Sequence, residues 1–177
     1  MPVPENIRHL CQAVPWPPEG VLVEGAAAAQ LSAATQQLPF SLPPELQDFL
    51  SFLNGPCIGP GGILGIQTTR PALDLLIVLE QYPTWKANAW IPVAGDGCGN
   101  YYVMVLGQFG RHPICFVDTV AAPNELAYVV GSNLWKFLEF LLERELGRKG
   151  WPFSAEFVLE RDPNLANIEC APLPWNA

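Results

Sequence analysis

Three kinds of group in this sequence could do chemistry: five cysteines, two histidines and the turn Asp96-Gly97-Cys98-Gly99-Asn100. Cys11, Cys57, Cys98, Cys115 and Cys170 are odd in number and far apart, with no Cys-x-x-Cys, which argues against a zinc site and against a disulfide framework. Free thiols in a reducing cytosol are the simplest reading. His9 and His112 stand in no metal-binding pattern. As a general base His112 needs a nucleophile and an orienting partner, and no motif proposes either, so it reads as a surface histidine. The turn alternates oxygen ligands as a calcium loop does, but one carboxylate and one amide are too few and no bidentate glutamate follows at the required distance. Its glycines permit positive φ, and Asp96 and Asn100 are suited to bonding local backbone groups. A Gly-x-Ser-x-Gly elbow is absent, as is a phosphate loop ending in Gly-Lys-Ser/Thr. Gly59 to Gly65 is followed by no lysine and reads as a flexible connector. No catalytic, cofactor-binding or metal-ligating residue is therefore assigned, and no cofactor is expected.

The elements that hold this turn follow from periodicity. Ala89 to Ala94 and Tyr101 to Leu106 are apolar runs flanking it, the second apolar on both faces as a strand covered on two sides should be. Pro113 to Val117 predicts a third strand and Leu126 to Val130 a fourth. A short strand is expected at Ile63 to Ile66. Helices are expected over Glu24 to Gln37 from alanine content, and from Pro43 through Leu46, Phe49, Leu50 and Leu53, stopped at Asn54-Gly55-Pro56. Pro71 to Glu80 predicts another, ended by Tyr82-Pro83, and Asn133 to Arg148 the clearest, with Leu134, Phe137, Leu138, Leu141 and Leu142 as its apolar stripe. Residues 1 to 20 read as an irregular arm, with Pro15-Trp16-Pro17-Pro18 forcing an extended course.

Composition narrows the function classes. Half of the 177 residues are hydrophobic and 15% are charged, enough for one sizeable core. The longest aliphatic run, Leu75 to Leu79, is far short of the roughly 20 residues a membrane helix needs. Met1-Pro2-Val3-Pro4-Glu5 lacks a basic segment before an apolar one, so no secretory signal is expected. The net charge is −8, and no Lys or Arg lies between Arg8 and Arg70, which disfavours direct nucleic-acid binding. An acidic surface suits solubility or steering toward a basic protein. Glu139, Glu143 and Glu145, interleaved with Lys136, Arg144 and Arg148, read as a solvated helix face with weak ion pairs, with an acidic docking face as the alternative.

Taken in order, several short motifs carry a resemblance. They are Leu42-Pro43-Pro44-Glu45-Leu46 with Phe49-Leu50 and Asn54-Gly55; then Ile91-Pro92-Val93-Ala94 with Asp96-Gly97-x-Gly99-Asn100-Tyr101; then Pro113-Ile114-Cys115-Phe116-Val117-Asp118; and last Leu134-Trp135-Lys136-Phe137-Leu138. Over about residues 24 to 146 this set resembles the SUKH superfamily, which includes fungal cell-wall assembly regulators and bacterial immunity proteins. The resemblance implies a single α+β domain, a mostly antiparallel sheet with helices packed on it. The chain then divides into an arm at 1–23, the domain at 24–148 and a C-terminal extension at 149–177 whose aromatic residues pack back onto the domain. The resemblance also implies a non-enzymatic protein-binding module, most simply an immunity protein that caps a basic polymorphic toxin domain, often a nuclease, and the thiols and missing secretory signal set it in the cytoplasm. The partner-binding face expected from it is built from loops near the sheet, with Asp96, Asn100, Tyr101, Trp85, Trp90 and Asp118 as contributors. Two rivals stand beside this reading: a regulatory scaffold binding cellular proteins, and an unrecognised hydrolase using Asp96, Cys98 or His112. The hydrolase requires two of those groups within hydrogen-bond reach in one cleft. The sequence names neither the partner nor the oligomeric state.

Overall fold

The computed structural model describes residues 2–15, 24–107 and 112–177. Its centre is a four-stranded meander of β1 (Trp90–Gly95), β2 (Tyr101–Val105), β3 (Ile114–Val117) and β4 (Tyr128–Gly131), in spatial order β1-β2-β3-β4 and antiparallel throughout. The α-helices among the described residues are α1 (Glu5–Ala13), α2 (Ala28–Thr35), α3 (Pro44–Phe52), α4 (Leu75–Gln81), α5 (Pro83–Ala87), α6 (Leu134–Glu145) and α7 (Ala155–Arg161). The architecture is α+β, as the resemblance implies.

Register explains why β2 is apolar on both sides. Tyr102 pairs with Phe116 and Phe116 with Tyr128, so these three rings form a row across one face. Phe137 of α6 and Trp151 pack on the Tyr102 ring at 5.1 and 5.8 Å between centroids. Adjacent Tyr101 points to the opposite face, where Trp85 of α5 meets it edge-on at 5.7 Å. All five predicted stripe residues of α6 are buried, and Asn133 caps it by accepting the Lys136 N–H at 3.0 Å.

Both outer edges of the sheet are occupied by irregular chain, which removes the exposed pairing groups of an edge strand. The expected strand at Ile63 to Ile66 is not a full strand. It makes two isolated bridges, Ile63 to Ala94 and Gly65 to Asp74, rather than a continuous ladder. There the Leu64 N–H donates to the Val93 carbonyl at 2.9 Å, and the Gly95 N–H to the Gly62 carbonyl at 3.0 Å. The glycine-rich stretch before it is accordingly not a loose connector: Ile63, Leu64 and Ile66 are buried. Asn54 locks the segment from behind, its Nδ2 donating to the Ile66 carbonyl at 2.9 Å and its Oδ1 accepting the Ile66 N–H at 2.8 Å. The motif at Asn54-Gly55 is thus a helix stop that also satisfies a buried backbone. On β4 the Val129 N–H donates to the Pro172 carbonyl at 2.9 Å.

Three further expectations are corrected. The arm is not irregular over its whole length, since Ile7 and Cys11 recur at helical spacing and bury one face of α1, flanked by Val3 and Val14. Residues 16–18 of the expected extended course lie outside the described residues. Tyr82-Pro83 ends α4 but opens α5, because proline is tolerated in a first helical turn. Pro71 to Leu73 is a separate 3-10 turn, and Asp74 starts α4 by accepting the Leu76 N–H at 2.9 Å.

The glutamates of α6 are not a solvated face either. Glu143 is 7% exposed and takes two bonds from Arg161 of α7 and one from Arg148 at 2.7 Å, while Arg161 also reaches Glu139 at 3.1 Å. Burial alone would raise the Glu143 carboxyl, but the hydrogen bonds and charges of Arg161 and Arg148 outweigh it and leave the pKa lowered. The C-terminal extension supplies this clamp and also buries Trp151, Val158 and Leu165 in the same core. Asp162, itself buried, accepts both the Ser132 N–H at 2.8 Å and the Ser132 hydroxyl at 2.6 Å.

Two stability predictions follow from these buried polar links. Asn54→Ala strands the Ile66 N–H and carbonyl, and urea denaturation should register a loss of about 2–4 kcal/mol; a loss below about 0.5 kcal/mol would remove Asn54 as the lock. Arg161→Ala should cost about 1–3 kcal/mol near neutral pH by leaving Glu143 and Glu139 short of a partner. Because the folded Glu143 pKa lies below its unfolded value of 4.5, that stabilisation is present above about pH 4.5 and fades as pH falls through the folded value. The gap between wild type and variant should therefore narrow on acidification; a gap constant from pH 7 to pH 3 contradicts it.

Candidate functional site

The β1–β2 turn closes through backbone and side chain together. The Asp96 N–H donates to the Asn100 carbonyl at 3.0 Å. Asp96 Oδ1 accepts the N–H groups of Cys98 and Asn100 at 2.7 and 3.0 Å, and Oδ2 accepts Asn100 Nδ2 at 2.8 Å. Gly97 sits at φ +84°, and a Cβ there would lie 2.7 Å from Pro60 Cβ, so both its conformation and its space call for glycine. Gly61 opposite it has no room either: a Cβ would fall 2.3 Å from the Gly95 carbonyl carbon.

A second turn, after β3, is zipped to this one. Asn100 Oδ1 accepts the Thr119 N–H at 3.0 Å, and the Thr119 hydroxyl donates to the Gly99 carbonyl at 2.9 Å. Asp118 Oδ1 shapes that turn by accepting the N–H groups of Val120 and Ala121 at 3.0 and 2.9 Å. The tip of this second turn, residues 120–122, is small and apolar, with Val120 86% exposed. The Asp-Gly-x-Gly-Asn motif is therefore half of a two-loop unit.

The six expected contributors separate into two groups. Asp96, Asn100 and Asp118 are half-buried and lie together in the paired loops, and half-buried Tyr101 starts β2 directly behind them. Trp85 is different: it is 0% exposed, stacks on Tyr82 at 4.1 Å and donates Nε1–H to the Pro123 carbonyl at 2.7 Å. It supports the second loop from beneath and cannot touch a partner directly. Trp90 is likewise buried, in the first position of β1. Burial removes both tryptophans from the surface.

The aromatic row beside the loops had no signal in the sequence. Phe116 and Tyr128 are half-buried and stacked at 5.0 Å, and Phe153 of the C-terminal extension, 60% exposed, meets Tyr128 edge-on at 5.7 Å. Burial, then the charges of Tyr102, Asp96 and Asp118, push the Tyr128 phenol up to about 12. Burial first, then Tyr82 and Asp96, also raise Tyr101. Both phenols are therefore protonated donors at neutral pH, and the carboxylates lie close enough to be felt at the rings. Half-exposed ring faces beside carboxylates are what a lysine or arginine side chain binds, through cation–π attraction and charge.

The same geometry bears on catalysis. Asp96 engages Cys98 through the Cys98 backbone N–H, and its second oxygen is held by Asn100, so the carboxylate is not set against the thiol. Among the described residues no group of three His, Cys, Asp or Glu side chains is placed to hold a metal ion. Two shallow depressions, one beside Arg8, Asp48 and Phe52 and one beside Leu31, Thr35 and Gln47, involve neither loop.

The zip between the loops makes its own prediction. Asn100→Ala removes the acceptor of the Thr119 N–H, and hydrogen exchange at that amide should accelerate about tenfold, the equivalent of about 1.4 kcal/mol. Unchanged exchange at Thr119 would mean that the loops are held together by something else.

Among protein-family models, that of the SMI1 / KNR4 family (SUKH-1) matches residues 25–139. No curated protein matches the chain. The match begins before α2 and ends within α6, so it takes in α3, the whole meander and both turns of the paired loops. A match over more than half of the sequence, on the elements that the motifs mark, makes this chain a member of the SMI1 / KNR4 (SUKH-1) family.

Proposed function

We propose that the chain is a non-enzymatic protein-binding module, and specifically an immunity protein that neutralises a basic polymorphic toxin domain, of nuclease type, by capping it in the cytoplasm. Family membership supports the general part, since SUKH proteins are binding or regulatory modules. The observation that carries the specific part is the paired-loop unit, where Asp96 and Asp118 sit on two zipped turns, Val120 is exposed at the tip of the second, and half-buried rings lie beside them on a chain of net charge −8. Opposite charge accelerates encounter with a basic enzyme and rejects wrong partners, while an apolar tip supplies the buried contact that slows release. Loops already zipped in the free protein lose little freedom on binding. Asp96, Asn100, Tyr101 and Asp118 are read as the contact region, with Trp85 as its support. No helix among the described residues is long and apolar enough to cross a membrane. We also read residues 24–148 as the family module and 149–177 as an extension that completes its core.

Co-expression with the toxin domain encoded beside this gene tests the reading. Wild-type protein should rescue growth and co-purify, with an association rate that falls at least tenfold from low to high salt. Val120→Arg, which places a cation at the tip without touching a hydrogen bond of either loop, should weaken binding about tenfold or more. Rescue that is indifferent to Val120→Arg and to salt would remove this face. Absence of rescue, with housekeeping proteins recovered instead, would replace the immunity role with a regulatory scaffold.

A further inference from the structure

The C-terminal extension passes over the sheet at one chemically distinctive point. Cys115 of β3 and Cys170 of the extension, 55 residues apart in sequence, bring their Sγ atoms to 3.7 Å. This contact is held from both sides. Cys115 is the register partner of Val129 on β4, and the Val129 N–H donates to the carbonyl of Pro172, two residues after Cys170. Leu165 and Pro174, on either side of Cys170, are both buried. The extension cannot slide along the sheet without breaking these anchors, so the two sulfurs stay opposed.

We infer that Cys115 and Cys170 form a dithiol modification site that reacts with low-molecular-weight disulfides and closes an internal disulfide, fastening the C-terminal extension to the sheet. The two thiols have unequal roles. Cys170 is exposed and reachable from solvent, whereas Cys115 is fully buried. The hydrogen bond between the two thiols raises Cys115, with burial adding to the rise, and lowers Cys170. Cys170 is thus the attacking thiolate and Cys115 the resolving group. Cys11, by contrast, is pushed up to about 12 by burial and is not a nucleophile at neutral pH.

The steps balance with glutathione disulfide as oxidant. The Cys170 thiolate attacks one glutathione sulfur, the glutathione S–S bond breaks, and one glutathione thiolate leaves. Cys115 then loses its proton and attacks Cys170 Sγ in the mixed disulfide, expelling the second glutathione thiolate. The two protons of the protein dithiol end on two molecules of glutathione. The protein is oxidised by two electrons and glutathione disulfide is reduced by two. Rotation about the cysteine side chains must bring the sulfurs from contact to bonding distance, about 2.05 Å.

Closure of the dithiol involves no partner protein. Reduced full-length protein is incubated with glutathione disulfide, alkylated and mapped by mass spectrometry, with thermal unfolding followed in parallel. The expected result is a linked peptide pair joining Cys115 to Cys170, and a melting temperature raised by on the order of 5–10 °C that dithiothreitol reverses. Cys170→Ser should abolish both effects, and Cys98→Ser, which removes an exposed competitor in the hairpin, should retain both. Glutathione remaining as a stable adduct on Cys170, linkage through any other cysteine, or an unchanged melting temperature in the Cys98→Ser protein would overturn it.

Discussion

Everything in this molecule depends on β2 being buried on two sides by rings from distant parts of the chain. Tyr101 and Tyr102 are neighbours, so the pleat sends one to each face. One meets Trp85 from α5, and the other meets Phe137 from α6 and Trp151 from the extension. Rings of this size bury large apolar areas and prefer the tilted and edge-on contacts seen here. A one-residue slip of β2 would exchange the two tyrosines between faces, so the aromatic contacts fix the register and the register fixes the turn that precedes it.

That turn inherits rigidity from three directions. Pro60 and Gly61 press on it from the segment that closes the β1 edge. Thr119 ties it to the neighbouring turn, and Trp85 holds that neighbour through Pro123. The polar atoms of Asp96 and Asn100 are largely used in shaping the tip, so the residues most eligible for chemistry by type are the ones most committed to structure. What they leave exposed is shape, charge and the apolar Val120, the attributes of a binding surface.

Residues 149–177 pack into the same core as the sheet and α6. Arg161 neutralises Glu143 on α6, Asp162 secures Ser132 at the end of β4, and Pro172 covers the β4 edge. Each is a charge-assisted or backbone bond at a place where α6 or β4 would otherwise leave a polar group or a strand edge short of a partner. The family match ends at residue 139, inside α6, yet the packing of that helix is finished by residues after it.

Local chemistry was legible in the sequence: the four strands of the meander, α3 and α6 follow from residue spacing, and the glycines and Asx residues of 96–100 from turn preference. These signals act within a few residues, so a linear reading captures them. The helix at Glu5–Ala13 was masked by the prolines that follow it, although Ile7 and Cys11 carry its apolar face. What only the tertiary structure decided is which groups face one another across the folded chain. Examples are Asn100 with Thr119, Glu143 with Arg161, and Cys115 with Cys170. The same holds for the burial of Trp85 and Trp90. Those pairings are set by cross-strand register and by the path of the extension over the sheet, and both arise only when distant segments compete for the same buried surface.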